Sequence, residues 1–263
     1  MLMTIDIGNT KILFGVFHGE DLVARFRINS RTERSSDELA ILLIDLLRTK
    51  HIKPADIKDV IISSVVPKIQ DSFKRLFQNY FDVEILTVGP EIETGIIIKA
   101  ENPKEVGADR IVNVVAAHSL YEGSTMVIDF GTATTFDYVD QDGVFQYTVI
   151  MPGVEISAQA LHLRTAKLPQ VEIKKPESIL ANNTVSGMHS GIFFGYIGAV
   201  EHIIRRMMKE LNDRPNVIST GGLGRLFYEN SDLIDAYNPN IAFEGMKIIF
   251  KCSKNIKGDL AKN

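Results

Sequence analysis

The chain has 263 residues, a formal net charge of −4 and a pI near 5.9. That length allows one large or two modest domains, and the slight acidity excludes the basic footprint of a nucleic-acid binder. With 45% apolar and 24% charged residues the composition is that of a soluble globular protein. Cys252 is the single cysteine, which rules out an intramolecular disulfide and a cysteine metal cluster and fits a reducing cytoplasm. Met1 to Asp6 lacks the basic start and apolar stretch of a signal peptide, and no run has the unbroken apolar length of a membrane span. The expected location is therefore the cytoplasm. None of the scattered histidines forms the i, i+4 pair of a helical metal site.

In chain order, Met3 to Ile7 and Lys11 to Phe17 read as strands joined by a Gly8-Asn9 turn, and Leu22 to Ile28 as a third. Ser35 and Glu38 have capping-box spacing, and Leu39, Leu42, Leu43, Leu46 and Leu47 form one apolar stripe, which predicts a helix. Val60 to Val66 is the apolar run of a buried parallel strand, stopped by Pro67. A helix around Asp71 to Tyr80 and a strand at Val83 to Val88 follow. The order begins again at Thr125 to Asp129: a strand, a turn of small residues, a strand through Thr135 to Val139, and a third after Asp142-Gly143. Asn216 to Gly222 then matches the earlier run ending in Ser63-Ser64. Each half reads as three antiparallel strands followed by alternating helices and strands, so domains at 1–117 and 118–263 are expected. Asn183 to Leu211 allows either one long helix or a break near Gly187 or Gly191. Glycines at 187, 191 and 195 would share one face, a pattern that invites close approach by another helix, in this chain or in a second subunit.

Three segments carry chemistry. Asp6-Ile7-Gly8-Asn9-Thr10-Lys11 places a carboxylate at a strand end, then a glycine at which the backbone can approach a ligand, then an amide, a hydroxyl and a cation. Phosphates and a magnesium ion facing Asp6 would suit this set; taken alone, it reads equally as a Gly-Asn hairpin turn. Asp129-Phe130-Gly131-Thr132-Ala133-Thr134-Thr135 repeats the carboxylate and glycine and adds three threonines able to present hydroxyls and N–H groups to an oxyanion. Strand propensity explains Thr134 and Thr135 but not Asp129 to Thr132. The chain contains neither a G-x-x-x-x-G-K-[ST] loop nor the glycine loop and His-Arg-Asp segment of protein kinases. That leaves a duplicated actin-like arrangement. The third segment, Asn102 to Arg110, sets Asp109 and Arg110 beside Gly107 and Ala108 at a helix start, a base and a fixed cation suited to an alcohol and a carboxylate. In isolation it would read as an ordinary surface Asp-Arg pair.

Together these residues resemble the type III pantothenate kinases, within the acetate kinase, sugar kinase, Hsp70 and actin superfamily. The resemblance rests, in order, on Asp6 to Thr10, Ser64-Val65-Val66-Pro67, Glu105 to Arg110, Asp129 to Thr135, Pro152-Gly153, Thr165 to Pro169, Asn183-Thr184 and Thr220-Gly221-Gly222. It implies an α/β fold of two duplicated actin-like (ribonuclease H-like) domains, each a mixed sheet flanked by helices, with the active site in the interdomain cleft. It implies transfer of the γ-phosphoryl of ATP to the primary hydroxyl of pantothenate, the first step of coenzyme A synthesis. Asp109 would be the general base, and Gly107, Ala108, Asp109, Arg110 and Thr184 would contact pantothenate. Asp6, Ile7, Gly8, Asn9, Thr10, Lys11, Ile12, Leu13 and Thr132 would bind ATP with Mg²⁺, and Asp129 a monovalent cation, K⁺ or NH₄⁺. A homodimer joined through the second domain is implied as well. Two positions depart from the family pattern: Ala100 stands where an aromatic residue commonly contacts pantothenate, and Tyr147-Thr148 where a Gly-Gly pair is frequent. A lost aromatic contact weakens binding by roughly 1 kcal/mol. The alternatives from other classes are a non-catalytic regulatory relative and an actin-like kinase of another small alcohol.

Overall fold

The computed structural model describes residues 1–81, 83–89 and 92–260. It contains β1 (Leu2–Ile7), β2 (Lys11–His18), β3 (Asp21–Asn29), α1 (Ser36–Arg48), β4 (Asp59–Ser64), α2 (Pro67–Tyr80), β5 (Ile85–Thr87) and β6 (Ile97–Ile98). There follow α3 (Ala108–Leu120), β7 (Thr125–Phe130), β8 (Ala133–Val139), β9 (Val144–Pro152), α4 (Val154–Leu163) and α5 (Thr184–Leu211). The chain closes with β10 (Asn216–Gly221), α6 (Gly224–Tyr228), β11 (Ala236–Tyr237) and α7 (Ile241–Leu260). It divides into two compact units, residues 1–116 with 240–263, and residues 117–239.

In the first unit the sheet runs β3-β2-β1-β4-β5. The first three strands are antiparallel neighbours, and β4 and β5 join in parallel. Met3, Ile5 and Ile7 alternate onto one face, where they meet Leu39, Leu43 and Leu47 of α1 and Phe73, Leu76 and Phe77 of α2. The period-two pattern of the strand and the heptad-like stripe of the helix thus bury against each other. Ser35 caps α1 as its spacing predicts: its hydroxyl accepts from the Glu38 N–H at 3.2 Å, and the Glu38 carboxylate accepts from the Ser35 N–H at 2.7 Å. Pro67 does more than stop β4. It occupies the first turn of α2, where its missing N–H costs nothing, so that helix begins four residues before Asp71.

The opposite face of this sheet, including Ile61 and Leu13, is covered by Ile111, Val112 and Val115 of α3 and by Phe243, Met246 and Ile249 of α7. Here the structure departs from a division at 117/118. The turnover does fall within α3, but residues 240–263 pack with the first unit. The physical reason is the apolar stripe of α7, which completes the core on that face. A Cβ placed on Gly245 would lie 1.9 Å from the Val112 carbonyl oxygen, so the backbones of α3 and α7 touch at this glycine.

The second unit repeats the strand order as β9-β8-β7-β10-β11, with β7 to β9 antiparallel and β10 and β11 joined in parallel. Met126, Ile128, Phe130 and Phe136 face Val200, Ile204 and Met207 of α5, and Phe130 stacks on Phe227 of α6 with ring centroids 4.6 Å apart. Of the two readings for residues 183–211, the unbroken helix is the observed one. The Asn183 side chain accepts from the Ser186 N–H at 3.0 Å and so caps α5. Tertiary burial along its whole length outweighs the intrinsic cost of its glycines. Among the described residues no helix is long and apolar enough to cross a membrane.

Replacing Gly245 by alanine is expected to force α3 and α7 apart and to lower the unfolding free energy by about 1–3 kcal/mol, measured by urea denaturation of both proteins.

Candidate active site

Asp6 is the penultimate residue of β1, opposite Leu13 on β2 and Ser63 on β4. It is half-buried, and the Ser63 hydroxyl donates to its Oδ1 at 3.0 Å. The turn beyond it is held from both sides. Gly8 N–H donates to the Lys11 carbonyl at 3.0 Å, while Ser30 donates from its hydroxyl to the Gly8 carbonyl at 2.6 Å and from its N–H to the Thr10 carbonyl at 2.9 Å. Asn9 and Thr10 are exposed on this braced turn, and the Lys11 ammonium donates to the Asn29 side-chain oxygen. Ile7 and Ile12 point into the core and Leu13 packs on the α3/α7 face. Those three can meet a ligand only through their backbone. Ser30, which sequence reasoning did not single out, is recognisable only once β3 is known to end beside the turn.

Asn102-Pro103 starts a short 3-10 turn rather than α3 itself, with the Asn102 amide donating to Glu105 at 2.7 Å. The continuous helix starts after Gly107, whose carbonyl accepts from the N–H groups of Arg110 and Ile111 at 3.1 and 3.2 Å. Asp109 therefore sits in the first turn of α3, where the helix dipole favours a carboxylate. Its Oδ1 accepts from the Arg110 N–H at 2.8 Å, and both side chains are half-buried. A Cβ on Gly107 would stand 2.5 Å from that same oxygen. Beyond β4, Val65 connects this segment to the Asp6 turn: its N–H donates to the Ile7 carbonyl at 3.0 Å, and its side chain adjoins Gly107. The structure thus brings Asp6, Ser63, Gly107 and Asp109 to one end of the first unit.

In the second unit Asp129 lies opposite Thr135 on β8 and Thr220 on β10. Gly131 closes the turn by donating to the Ala133 carbonyl at 3.2 Å. Gly221 has φ +84°, and a Cβ there would fall 2.5 Å from Asp129 Oδ1 and 2.7 Å from the Phe130 carbonyl oxygen. The carboxylate therefore shares a small oxygen-lined space with a backbone carbonyl that only glycine leaves open. The three threonines separate in role. Thr132 is exposed at the loop tip, Thr134 is fully buried, and the Thr135 hydroxyl donates to the buried Asp137 carboxylate at 3.1 Å. Only Thr132 is presented by the loop as an exposed hydroxyl.

Thr184 begins α5 and is exposed. It lines a groove of about 580 Å³ with Ser157 and Leu161 of α4 and Gly187, Gly191 and Gly195 of α5. The predicted small-residue face is real, and a Cβ at Gly191 or Gly195 would meet nothing within 4 Å. Thr184 lies about 18 Å along α5 from Tyr196, the residue that touches the Asp129 loop. Within its own unit the helix does not bring it to that loop.

The model of the family described as type III pantothenate kinase matches residues 2–206, which take in the Asp6 turn, Asn102 to Arg110, the Asp129 loop and Thr184. The chain belongs to the type III pantothenate kinase family. Solved structures agree on the fold. A Campylobacter jejuni protein placed provisionally in the Baf family of transcriptional activators superposes with TM-score 0.57 at 18% identity, covering 96% of this chain and 99% of that one. A Sinorhizobium meliloti protein provisionally described as a 2-dehydro-3-deoxygalactonokinase gives TM-score 0.57 at 12% identity, covering 96% of each. MreB 5 of Spiroplasma citri, bound to AMPPNP, gives 0.57 at 9% identity over 98% of each. The mixed sheets flanked by helices are thus the actin-like architecture, and this member of the kinase family carries it across both units.

The two positions that depart from the family pattern have ordinary surroundings. Ala100 is half-buried in a connecting segment, and Tyr147 is exposed on β9, its ring 6.3 Å from that of Tyr138 across the strand pair.

Because the atom nearest to a Cβ at Gly107 is the end of a side chain, Gly107→Ala should fold normally and move the Asp109 carboxylate instead. Turnover is expected to fall about 10- to 100-fold with an unchanged thermal midpoint, read from steady-state kinetics beside a melting curve.

Proposed function

We propose that this kinase transfers the γ-phosphoryl group of ATP to the primary hydroxyl of pantothenate, giving 4′-phosphopantothenate. The observation that carries the reading is Asp109: a carboxylate in the first turn of α3, oriented by the Arg110 N–H and hemmed in by Gly107, inside a segment matched by the family model. Its oxygen takes the proton of the attacking hydroxyl, the role phosphoryl transfer to an alcohol demands. Arg110 offers the substrate carboxylate a planar fork of donors, with Gly107 and Ala108 lining the approach. The turn that follows Asp6, with Asn9, Thr10 and Lys11, and the Thr132 hydroxyl hold the phosphates, donating N–H and O–H groups to their oxygens.

Asp6 suits Mg²⁺, a hard cation that takes carboxylate oxygens, and the Ser63 hydroxyl fixes its orientation. A magnesium ion held there with ATP would neutralise charge on the phosphates. Asp129 suits a monovalent cation, K⁺ or NH₄⁺, because its carboxylate and the Phe130 carbonyl share the space that Gly221 leaves open. We assign the α5 groove to a second copy of the chain. Its glycine face is open, and Thr184 at its end would then serve the substrate of the partner subunit. The setting is the cytoplasm, where coenzyme A precursors and ATP are both present.

The test is ADP release by the purified protein with pantothenate, with and without K⁺ or NH₄⁺. Pantothenate-dependent ADP that requires the cation is expected, and its absence under every condition sinks the proposal. Asp109→Asn is expected to lower kcat by at least about a hundredfold without changing the fold. A regulatory reading is favoured by the Campylobacter jejuni neighbour's description, but a regulator has no chemical need for Asp6, Asp109, Arg110 and Asp129 together. Gly195→Leu, which fills the groove, is expected to give monomers in sedimentation velocity where the wild type sediments as a dimer.

A further inference from the structure

Tyr196 is a buried tyrosine on α5 that none of the chemistry above uses. One edge of its ring lines the α5 groove, and its hydroxyl points the other way, into the sheet. There it stands 2.9 Å from the Pro152 carbonyl oxygen and 2.7 Å from Thr134 Oγ1. A carbonyl only accepts, so the tyrosine proton goes to Pro152 and the Thr134 hydroxyl donates to the tyrosine oxygen. Burial pushes the phenol pKa up, so the hydroxyl stays protonated at neutral pH.

What those two partners hold is the loop tip. The Pro152 carbonyl and the Gly153 N–H belong to one planar peptide unit. The carbonyl end takes the Tyr196 proton, and the N–H end donates to the Thr132 carbonyl at 3.1 Å. Contact along that peptide is tight: a Cβ on Gly153 would lie 2.4 Å from the Thr132 carbonyl oxygen and 2.5 Å from that of Gly131. On the other side Thr134, in β8, is two residues from Thr132 along the chain. One hydroxyl therefore fixes the exposed threonine from both flanks, through a rigid peptide plane and through the strand.

We propose that Tyr196 is a positioning residue for nucleotide binding, holding Thr132 and the Gly131 turn in the geometry that receives phosphate. This rests on the reading of that loop as part of the ATP site. Removing the hydroxyl leaves the ring and the helix packing in place, takes one of the two anchors from the Pro152–Gly153 peptide, and leaves Thr134 without its acceptor. The loss should appear in nucleotide affinity and not in the chemical step.

The experiment is calorimetric titration of Mg·ATP into wild type, Tyr196→Phe and Thr134→Val, with steady-state kinetics on each. Tyr196→Phe is expected to weaken ATP binding about five- to tenfold, the effect of one hydrogen bond with a partner left unpaired, with kcat at saturating ATP within about twofold. Thr134→Val should give a shift of the same kind, and the double variant less than the product of the two. Tyr138→Phe is the control, since its buried hydroxyl bonds Asp213 at 2.7 Å instead of the loop. It should lower the melting temperature and leave ATP affinity alone. Unchanged ATP affinity in Tyr196→Phe, or equal affinity losses in Tyr196→Phe and Tyr138→Phe, overturns the assignment. Should Tyr196→Phe fail to fold, Thr134→Val decides by the same criterion. A wild type that binds no ATP overturns the reading of the loop itself, and this inference with it.

Discussion

Both carboxylates of the repeated motif depend on a parallel strand pair that ends level. In the first unit β1 and β4 run together so that Asp6 faces Ser63, and in the second β7 and β10 set Asp129 opposite Thr220. Parallel pairing puts the carboxyl ends of both strands on the same edge, the position at which open α/β sheets bind ligands. The apolar residues before each aspartate bury the strand, and the glycine after it turns the chain away. The carboxylate is therefore held at the one place where a rigid sheet meets solvent. Everything attached to that edge, the two loops and the start of α3, inherits its precision from the sheet.

The two copies of the motif are given different surroundings by their neighbours. Around Asp6 the turn is braced by Ser30 and oriented by Ser63, and it opens its exposed side chains, Asn9 and Thr10, outward. Around Asp129 the space is narrower, with glycine 221 in a left-handed conformation and a backbone carbonyl alongside. A wide, well-donored turn suits phosphate oxygens, whereas a small space lined by acceptors suits a weakly hydrated cation. Two nearly identical sequences thus stand in differently shaped surroundings.

Much of this was legible in the residues. The β-branched runs, the Ser35-Glu38 cap and the restart at Thr125 are local signals, and local signals survive folding because they are satisfied by near neighbours. The place of Gly107 to Arg110 at a helix start was legible for the same reason, whereas its chemistry was not, since alone it reads as an ordinary surface Asp-Arg pair. What escaped is what depends on distant partners. Ser30 and Tyr196 look like any serine after a strand and any aromatic residue on a helix until the strands are placed beside them. The affiliation of α7 escaped likewise, since its apolar stripe would suit a core in either unit. The packing of Phe243, Met246 and Ile249 and the contact of Gly245 with Val112 tell which.

That affiliation bears on how the protein is made. The first 116 residues contain a complete sheet, yet one of its faces, with Phe17, Ile61 and Val112, is completed by Phe243, Met246 and Ile249. During synthesis those residues emerge after the whole of the second unit. Domains generally fold in the order in which the ribosome delivers them. Here the unit that starts first must finish second, carrying an uncovered apolar face while residues 117–239 are being made. The second unit is contiguous in the chain and free to fold before it. The helix α7 is thus a late piece of the first unit, and translation must pass the whole of the second unit before the carboxylates of Asp6 and Asp109 acquire a finished scaffold.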